Sequence, residues 1–116
     1  MKIFIICSVR DATQKYRDEL EAYTSKLERD GNTVHLPHRD TDQTVTGIGI
    51  CTQNKNAIMD SDEVHIFYNR SSQGTHFDMG MAFVLKKKIV LVSTAQRTAE
   101  KSFQNTLVDW EANGCI

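Results

Sequence analysis

The segment 62–85 constrains the fold more than any other part of the sequence. Its first residues, DEVHIFY, are rich in β-branched and aromatic side chains, which predicts a buried strand over 62–68. The following NRSSQGT is typical of a turn, and HFDMGMAFVL is apolar on nearly every side, as in a helix packed on a sheet. We therefore expect a polar loop at the carboxyl end of a strand, where open α/β sheets bind ligands.

Length and charge restrict the class of protein. A chain of 116 residues, 40% of them hydrophobic, can bury one core but is too short for two ordinary domains, so we expect a single domain over 1–116. The formal net charge of -1 argues against a nucleic-acid polymer or an anionic membrane as a partner. The first apolar run, IFIIC, is too short for a signal peptide or a membrane span.

The cysteines and histidines show no metal-binding pattern. Cys7, Cys51 and Cys115 are widely spaced, without a CxxC motif, and the histidines lack the spacing of zinc ligands. We therefore expect free thiols, a cytoplasmic location and no metal site.

The order of apolar and amphipathic segments predicts a flavodoxin-like (Rossmann-like) α/β fold, with a parallel sheet of about five strands flanked by helices. The run 37–47, PHRDTDQTVTG, is predicted to be a mobile loop. The strands are predicted over 2–7, 33–36, 62–68, 89–92 and, at one edge, 106–110, and the helices over 11–30, 46–59, 76–85 and 96–105.

Two predicted turns carry groups that bind anions. Ser8 and Arg10 follow the first strand and precede a helix, and Ser72 lies in the loop after 62–68. Hydroxyls and a guanidinium at the ends of neighbouring strands can hold a phosphate through charge-assisted hydrogen bonds. Considered one at a time, each residue is equally compatible with an ordinary solvated turn.

Asp78 allows two interpretations. Thr75 as an N-cap with Asp78 three residues later resembles a capping box, and an acid in the first turn complements the helix dipole. The same carboxylate would also lie over the ligand-binding edge of the sheet, where it could act in catalysis. His76 could reach the same place, although an exposed first-turn residue is the simpler interpretation.

Two motifs resemble the nucleoside 2-deoxyribosyltransferase-like family, which includes deoxynucleoside-monophosphate N-glycosidases and CMP hydrolases. CSVRDA resembles the phosphate turn of that family, and SSQGTHFDMGMAF resembles its loop and nucleophile helix. The family normally has Glu at the position of Asp78 and Asp at the position of Asn54. The matching residues of the second motif are Ser72, Gly74, Phe77, Asp78, Gly80 and Ala82.

The resemblance implies a role for each matching position. Asp78 would be the catalytic nucleophile that attacks the anomeric carbon. Ser8, Arg10 and Ser72 would hold a 5′-phosphate, and Asn54 would orient the base.

Three further residues complete the implied substrate site. Gly74 belongs to the loop motif, and Ser102 corresponds by spacing to a serine that reaches into the neighbouring subunit's site. Phe4 stands where some deoxynucleotide-specific relatives have Tyr, which predicts that ribonucleotides are accepted.

The resemblance therefore implies hydrolysis of the N-glycosidic bond of a nucleoside 5′-monophosphate, giving free base and pentose 5-phosphate. The enzyme would be a homodimer with shared active sites and would need no metal or organic cofactor. Two alternatives stay open: deoxyribosyl transfer between bases, and a non-catalytic nucleotide-binding sensor, which the shorter acid at position 78 suggests.

Overall fold

The computed structural model describes residues 1–93 and 96–114 and contains a parallel sheet. Within those residues the sheet has four strands in the order β2-β1-β3-β4, which is the order of the first four strands of a flavodoxin-like sheet. Its register pairs Phe4 of β1 with His35 of β2 and with Val64 of β3. The strands are β1 (Lys2–Ile6), β2 (Thr33–His35), β3 (Glu63–Ile66) and β4 (Lys88–Leu91).

Helices cover both faces of the sheet. No helix within residues 1–93 and 96–114 has the length and apolar character needed to cross a membrane. The helices are α1 (Gln14–Arg29), α2 (Pro37–Asp40), α3 (Gly47–Asp60), α4 (Gln73–Val84) and α5 (Phe103–Asn113).

The alternation of side chains along β1 divides the core into two clusters. Phe4 and Ile6 point to the face covered by α3, α4 and α5, and Ile3 and Ile5 point to the face where Leu20 of α1 packs. A strand buried on both faces must be apolar at every position, which explains the continuous apolar run at the start of the sequence.

The start of α1 differs from the prediction. The helix predicted over 11–30 begins three residues later than expected, and Asp11, the first residue of the predicted range, adopts a left-handed φ of 59°. Thr13 is the N-cap, because its hydroxyl oxygen accepts a hydrogen bond from the Tyr16 N–H at 3.1 Å. Gly31, with φ of 95°, follows the end of the helix, in agreement with the sequence.

The predicted edge strand over 106–110 is wrong, because these residues belong to α5. Leu107 and Trp110 are both buried, and their spacing of three places them on one helical face. The Trp110 indole N–H donates to the Lys87 carbonyl at 3.0 Å, which fixes α5 against the start of β4.

The predicted helix over 96–105 is also wrong, since residues 96–102 are not helical. Ser102 ends this segment as the N-cap of α5, and its hydroxyl oxygen accepts from the Asn105 N–H at 3.1 Å. The Asn105 amide in turn donates to the carbonyls of Thr98 and Glu100, so side chains rather than helical bonds hold the segment.

The polar segment after β2 is partly helical, because it contains the single turn of α2. Arg39 of α2 forms two hydrogen bonds with the Glu28 carboxylate, at 3.0 and 3.2 Å, and so connects α2 to α1. Asp40 accepts from the Leu36 N–H at 2.8 Å.

Candidate active site

A cleft of about 1280 Å³ opens at the carboxyl ends of the strands. In this strand order β2 is added on one side of β1, and β3 and β4 are added on the other side, so the order of the strands reverses between β1 and β3. Ligands of open α/β sheets bind at such a switch point. The cleft is lined by Ser8 and Arg10 after β1, Pro37 after β2, Asn69 and Ser72 after β3, and Ser93 after β4.

The fold brings six of the predicted site residues to this cleft and leaves two elsewhere. Phe4 and Ser102 are the two that do not line it. The six lining residues are Ser8, Arg10, Asn54, Ser72, Gly74 and Asp78.

Asp78 does not cap its helix. The N-cap of α4 is Ser72 rather than Thr75, since the Ser72 hydroxyl accepts from the Thr75 N–H at 3.1 Å. Asp78 is the sixth residue of α4 and so lies beyond the first turn. Capping and dipole contacts act within the first turn. The capping interpretation is therefore wrong, and the burial of this acid requires another reason.

The environment of Asp78 raises the pKa of its carboxyl close to neutral pH. The side chain is only 7% exposed, and burial raises its pKa to about 7. The Asn54 amide opposes this shift by donating to Asp78 Oδ2 at 3.5 Å. A carboxyl with a pKa near the working pH suits acid, base or nucleophilic chemistry.

The thiol next to this carboxyl is not an alternative nucleophile. Cys7 is buried at the end of β1, and its pKa is raised to about 12 by burial and, to a smaller extent, by the charge of Asp78. The thiol therefore stays protonated at neutral pH.

Asn54 is held from behind by two residues that sequence reasoning missed. The Thr41 hydroxyl donates to Asn54 Oδ1 at 2.7 Å, and His35 Nε2 lies 2.7 Å from Thr41 Oγ1. Thr41 belongs to the polar segment after β2 and Asn54 to α3, so only the tertiary fold brings them together.

Asn69 connects the two predicted anion-binding turns. Its amide N–H₂ donates to Ser8 Oγ at 2.9 Å, and its amide oxygen accepts from the Ser71 N–H at 3.0 Å. It was read only as part of a turn, although asparagine commonly bonds to the backbone two residues further on. The bond to Ser8 crosses the switch point between β1 and β3.

The groups at the two turns remain available to an anion. Arg10 is exposed and forms no ion pair within residues 1–93 and 96–114. Ser72 Oγ accepts a bond as the helix cap, but its O–H proton is still free to donate into the cleft. A Cβ at Gly74 would meet only Ser72 Oγ, at 4.0 Å, so packing within the chain does not require glycine there.

Phe4 does not reach the cleft, which corrects its predicted role. It is fully buried in the core, and its ring stacks on His35 with the ring centroids 5.2 Å apart. A side chain in this position cannot contact a sugar, so the expectation about ribonucleotides loses its basis.

Ser102 and His76 line a second, shallower depression next to the cleft. Tyr68 borders both. His76 is half-buried, with Nδ1 2.7 Å from the Ser72 carbonyl oxygen and Nε2 3.0 Å from the Tyr68 hydroxyl. Both ring nitrogens therefore have partners within the chain, which favours a structural role for His76.

We expect Asp78→Asn to stabilise the protein at pH 8. Asp78 has a folded pKa of about 7, above the unfolded value, so its ionisation makes stability fall as pH rises from about 4 to about 7. Removing the charge should raise the free energy of unfolding by about 2–4 kcal/mol at pH 8 and by almost nothing at pH 4, as measured by urea denaturation.

Asp60→Asn is the matched control, because Asp60 is an exposed acid whose ion pair with Lys2 contributes little. It should change stability by less than about 1 kcal/mol at both pH values. If Asp78→Asn were less stable than the parent at pH 8, burial of the ionised Asp78 carboxylate would not be destabilising, and the prediction would be wrong.

Solved structures with the same fold include three enzymes. The CMP N-glycosidase BcmB of Clostridium botulinum has a TM-score of 0.59 and 23% identity, over 78% of this chain and 67% of its own. The 2-deoxyribosyltransferase of Bacillus psychrosaccharolyticus has a TM-score of 0.66 and 17% identity, over 88% and 77%. The 2-deoxyribosyltransferase of Leishmania mexicana has a TM-score of 0.64 and 18% identity, over 80% and 64%.

No protein-family model matches the chain, and no curated protein matches it significantly. The solved structures therefore establish the fold, and this fold agrees with the resemblance of the two sequence motifs. The chain has the α/β fold of nucleoside 2-deoxyribosyltransferase-like proteins.

Proposed function

We propose that the protein hydrolyses the N-glycosidic bond of a nucleoside 5′-monophosphate and releases free base and pentose 5-phosphate. The observation that carries this proposal is a buried carboxyl, Asp78, with a pKa of about 7, in the same cleft as anion-binding groups. Those groups are Ser8, Arg10 and Ser72. The CMP N-glycosidase among the structures of the same fold supports this choice.

In this mechanism the Asp78 carboxylate attacks the anomeric carbon. The C–N bond breaks, its electron pair leaves with the base, and the base takes up a proton from solvent. A glycosyl ester forms on Asp78, and water then attacks the sugar carbon and gives up a proton to solvent, which returns the carboxylate and releases the sugar phosphate.

The phosphate gives the enzyme binding energy away from the reacting bond. Ser8 and Ser72 would donate hydroxyl hydrogen bonds and Arg10 would add a charge-assisted one. This energy can hold the anomeric carbon against Asp78, which raises the rate of the chemical step rather than only the affinity.

Deoxyribosyl transfer between bases is the second candidate, because two deoxyribosyltransferases share the fold. It uses the same nucleophile but replaces water with a second base and needs no phosphate on the substrate. Arg10 and Ser72 in the cleft favour the hydrolase.

Turnover tests the proposal directly. Purified protein should release free base from at least one nucleoside 5′-monophosphate, detected by chromatography of a panel with each common base. Because the nucleophile must be ionised, kcat/KM should rise with pH up to about pH 7 and then level off.

Asp78→Asn should abolish this release, since an amide is not a nucleophile here. Base release that is unchanged in Asp78→Asn would contradict the mechanism. Base exchange without net hydrolysis would instead support the transferase, and nucleotide binding without any turnover would support a sensor.

The anion site predicts a preference for phosphorylated substrates. Arg10→Ala should lower kcat/KM for the monophosphate by about 10- to 100-fold, which is the usual contribution of a hydrogen bond to a charged group. It should leave the weak activity on the matching nucleoside unchanged.

Arg29→Ala is the matched control, because Arg29 lies at the other end of α1, about 22 Å along the helix from its first residue. It should behave like the parent with both substrates. Equal kcat/KM for nucleoside and monophosphate in the parent would contradict a phosphate site.

We also propose a homodimer in which Ser102 enters the partner's active site. Phe77 and Val84 on α4 are 56% and 79% exposed, and Phe103, next to Ser102, is 61% exposed. Apolar surface of this kind is commonly covered by a two-fold-related copy. The free thiols Cys7 and Cys51 suit a reducing compartment, so we propose the cytoplasm as the location.

Subunit mixing tests the shared site. Ser102→Gly removes the hydroxyl, and glycine at an N-cap costs only a few tenths of a kcal/mol, so α5 should stay intact. A heterodimer of Ser102→Gly and Asp78→Asn subunits would contain one complete site and one site that lacks both groups. The activity of an exchanged mixture should therefore exceed the average of the two homodimers, and activity equal to that average would contradict a contribution of Ser102 in trans.

A further inference from the structure

We propose that His35 and Thr41 are positioning residues, which fix the orientation of the Asn54 amide so that its N–H₂ group faces the Asp78 carboxyl. The inference rests on the proposed role of Asp78 as the reacting acid. It assigns a catalytic purpose to two residues that touch neither Asp78 nor the proposed anion site.

The direction of each hydrogen bond follows from what each group can donate. The Asn54 oxygen is only an acceptor, so the Thr41 hydroxyl must give its single proton to that oxygen, at 2.7 Å. Thr41 Oγ1 can then only accept from His35 Nε2, also at 2.7 Å, which requires the Nε2–H form of the imidazole. With its oxygen held in this way, the amide presents Nδ2 to Asp78 Oδ2 at 3.5 Å.

The opposite orientation of the amide would be unfavourable at Asp78, because the Asn54 oxygen would face the Asp78 carboxylate. Thr41 would then accept from the N–H₂ group and could donate its proton only to His35 Nε2, which requires the other tautomer of the ring. Thr41, Asn54 and Asp78 are each at most 7% exposed, so water does not compensate for a lost bond. The three bonds therefore support one arrangement.

His35 is itself held rigidly. Its ring stacks on the buried Phe4 at 5.2 Å, almost in parallel. Burial lowers its pKa, the charge of Asp40 raises it and the charge of Arg39 lowers it, so the ring is largely neutral at neutral pH and donates through Nε2. The fully buried Phe4 therefore supports the His35 ring and does not contact the cleft.

The arrangement limits what Asn54 can offer to a base. Its amide has two N–H donors and an oxygen with two lone pairs. One donor is directed at Asp78 and one lone pair is occupied by Thr41, so one donor and one lone pair remain for the substrate. The Asn54 amide can therefore contact the Asp78 carboxyl and the nucleobase of the substrate at the same time.

The buried titratable groups next to Asp78 do not obscure a change in the pKa of Asp78. Cys7 and Tyr16 face the same cleft, and burial raises the pKa of each to about 12, so both stay neutral near neutral pH. The titratable groups that line the cleft besides Asp78 are Cys7, Arg10, Asp11, Tyr16, Cys51 and Tyr68.

The test compares Thr41→Val, which keeps the shape but removes the hydroxyl, with Thr41→Ser, which keeps the hydroxyl. Carbon-13 NMR of labelled aspartate carboxyls gives the pKa of Asp78 without turnover, and Asp78→Asn identifies its signal. We expect Thr41→Val to raise that pKa by about half a unit or more, because the opposing Asn54 bond is lost. The kcat should fall by about tenfold with KM nearly unchanged, since a misplaced acid affects the reacting state.

Thr24→Val is the matched control, since Thr24 is a buried threonine of α1 whose hydroxyl has no hydrogen-bond partner within residues 1–93 and 96–114. It should change neither the Asp78 pKa nor kcat, and Thr41→Ser should restore both. If Thr41→Val does not fold, His35→Phe keeps the stacked ring without the donor, and His35→Gln keeps an N–H donor.

Two results would overturn the inference. One is an Asp78 pKa that is the same in Thr41→Val, or in His35→Phe, as in the parent. The other is a failure of Thr41→Ser or His35→Gln to restore the parental pKa. If the parent releases no base from any nucleotide, the proposed function fails, yet the NMR titration still decides whether the chain of bonds controls Asp78.

Discussion

The burial of β1 between two parallel neighbours is the constraint on which the molecule depends. Because β2 and β3 pair with it in the same direction, the turns that follow these strands meet at one edge of the sheet. Ser8 and Asn69 come from different turns of this edge, and their hydrogen bond at 2.9 Å joins them across the switch point. The position of the cleft is thus a consequence of strand order and direction.

The second constraint is a conflict at Asp78 between burial and charge. An acid that is 7% exposed loses the solvation of its ionised form, so its pKa rises to about 7. A fully solvated carboxylate would be ionised more readily but would be a weaker base and a poorer nucleophile. Burial of this charge lowers the stability of the fold, and such destabilised groups are common at functional sites.

The predictable parts of the fold are those set by local pattern. The strand, loop and helix of 62–85, the central strand near the start and α3 all follow from apolar runs and turn residues. The end of the chain was misread because TLVDW is a short run that contains the strand-favouring residues Thr, Val and Trp, whereas burial of Leu107 and Trp110 three residues apart is helical. Such short runs are ambiguous until the packing partner is known.

The order of the strands predicts the location of those site residues that lie next to their own strand end. Ser8, Arg10 and Ser72 belong to turns, so their place at the cleft follows from the order of the strands. Thr41 and His35 act through Asn54, which belongs to another element, and their spacing in the sequence carries no signal of this. Phe4 was misplaced for the related reason that a strand residue faces the core or the cleft according to tertiary packing.

The two departures from the pattern of the family that the sequence motifs resemble meet in one hydrogen bond. That family normally has Glu at the position of Asp78 and Asp at the position of Asn54, and here the Asn54 amide lies 3.5 Å from the Asp78 carboxylate. A second carboxylate at that distance would repel the charge of Asp78 and raise its pKa further. The amide instead donates to Asp78 and lowers that pKa, which partly offsets the effect of burial. The shorter acid and the neutral neighbour are therefore compatible with each other, and Thr41 and His35 supply the hydrogen bonds that keep the amide turned toward the acid.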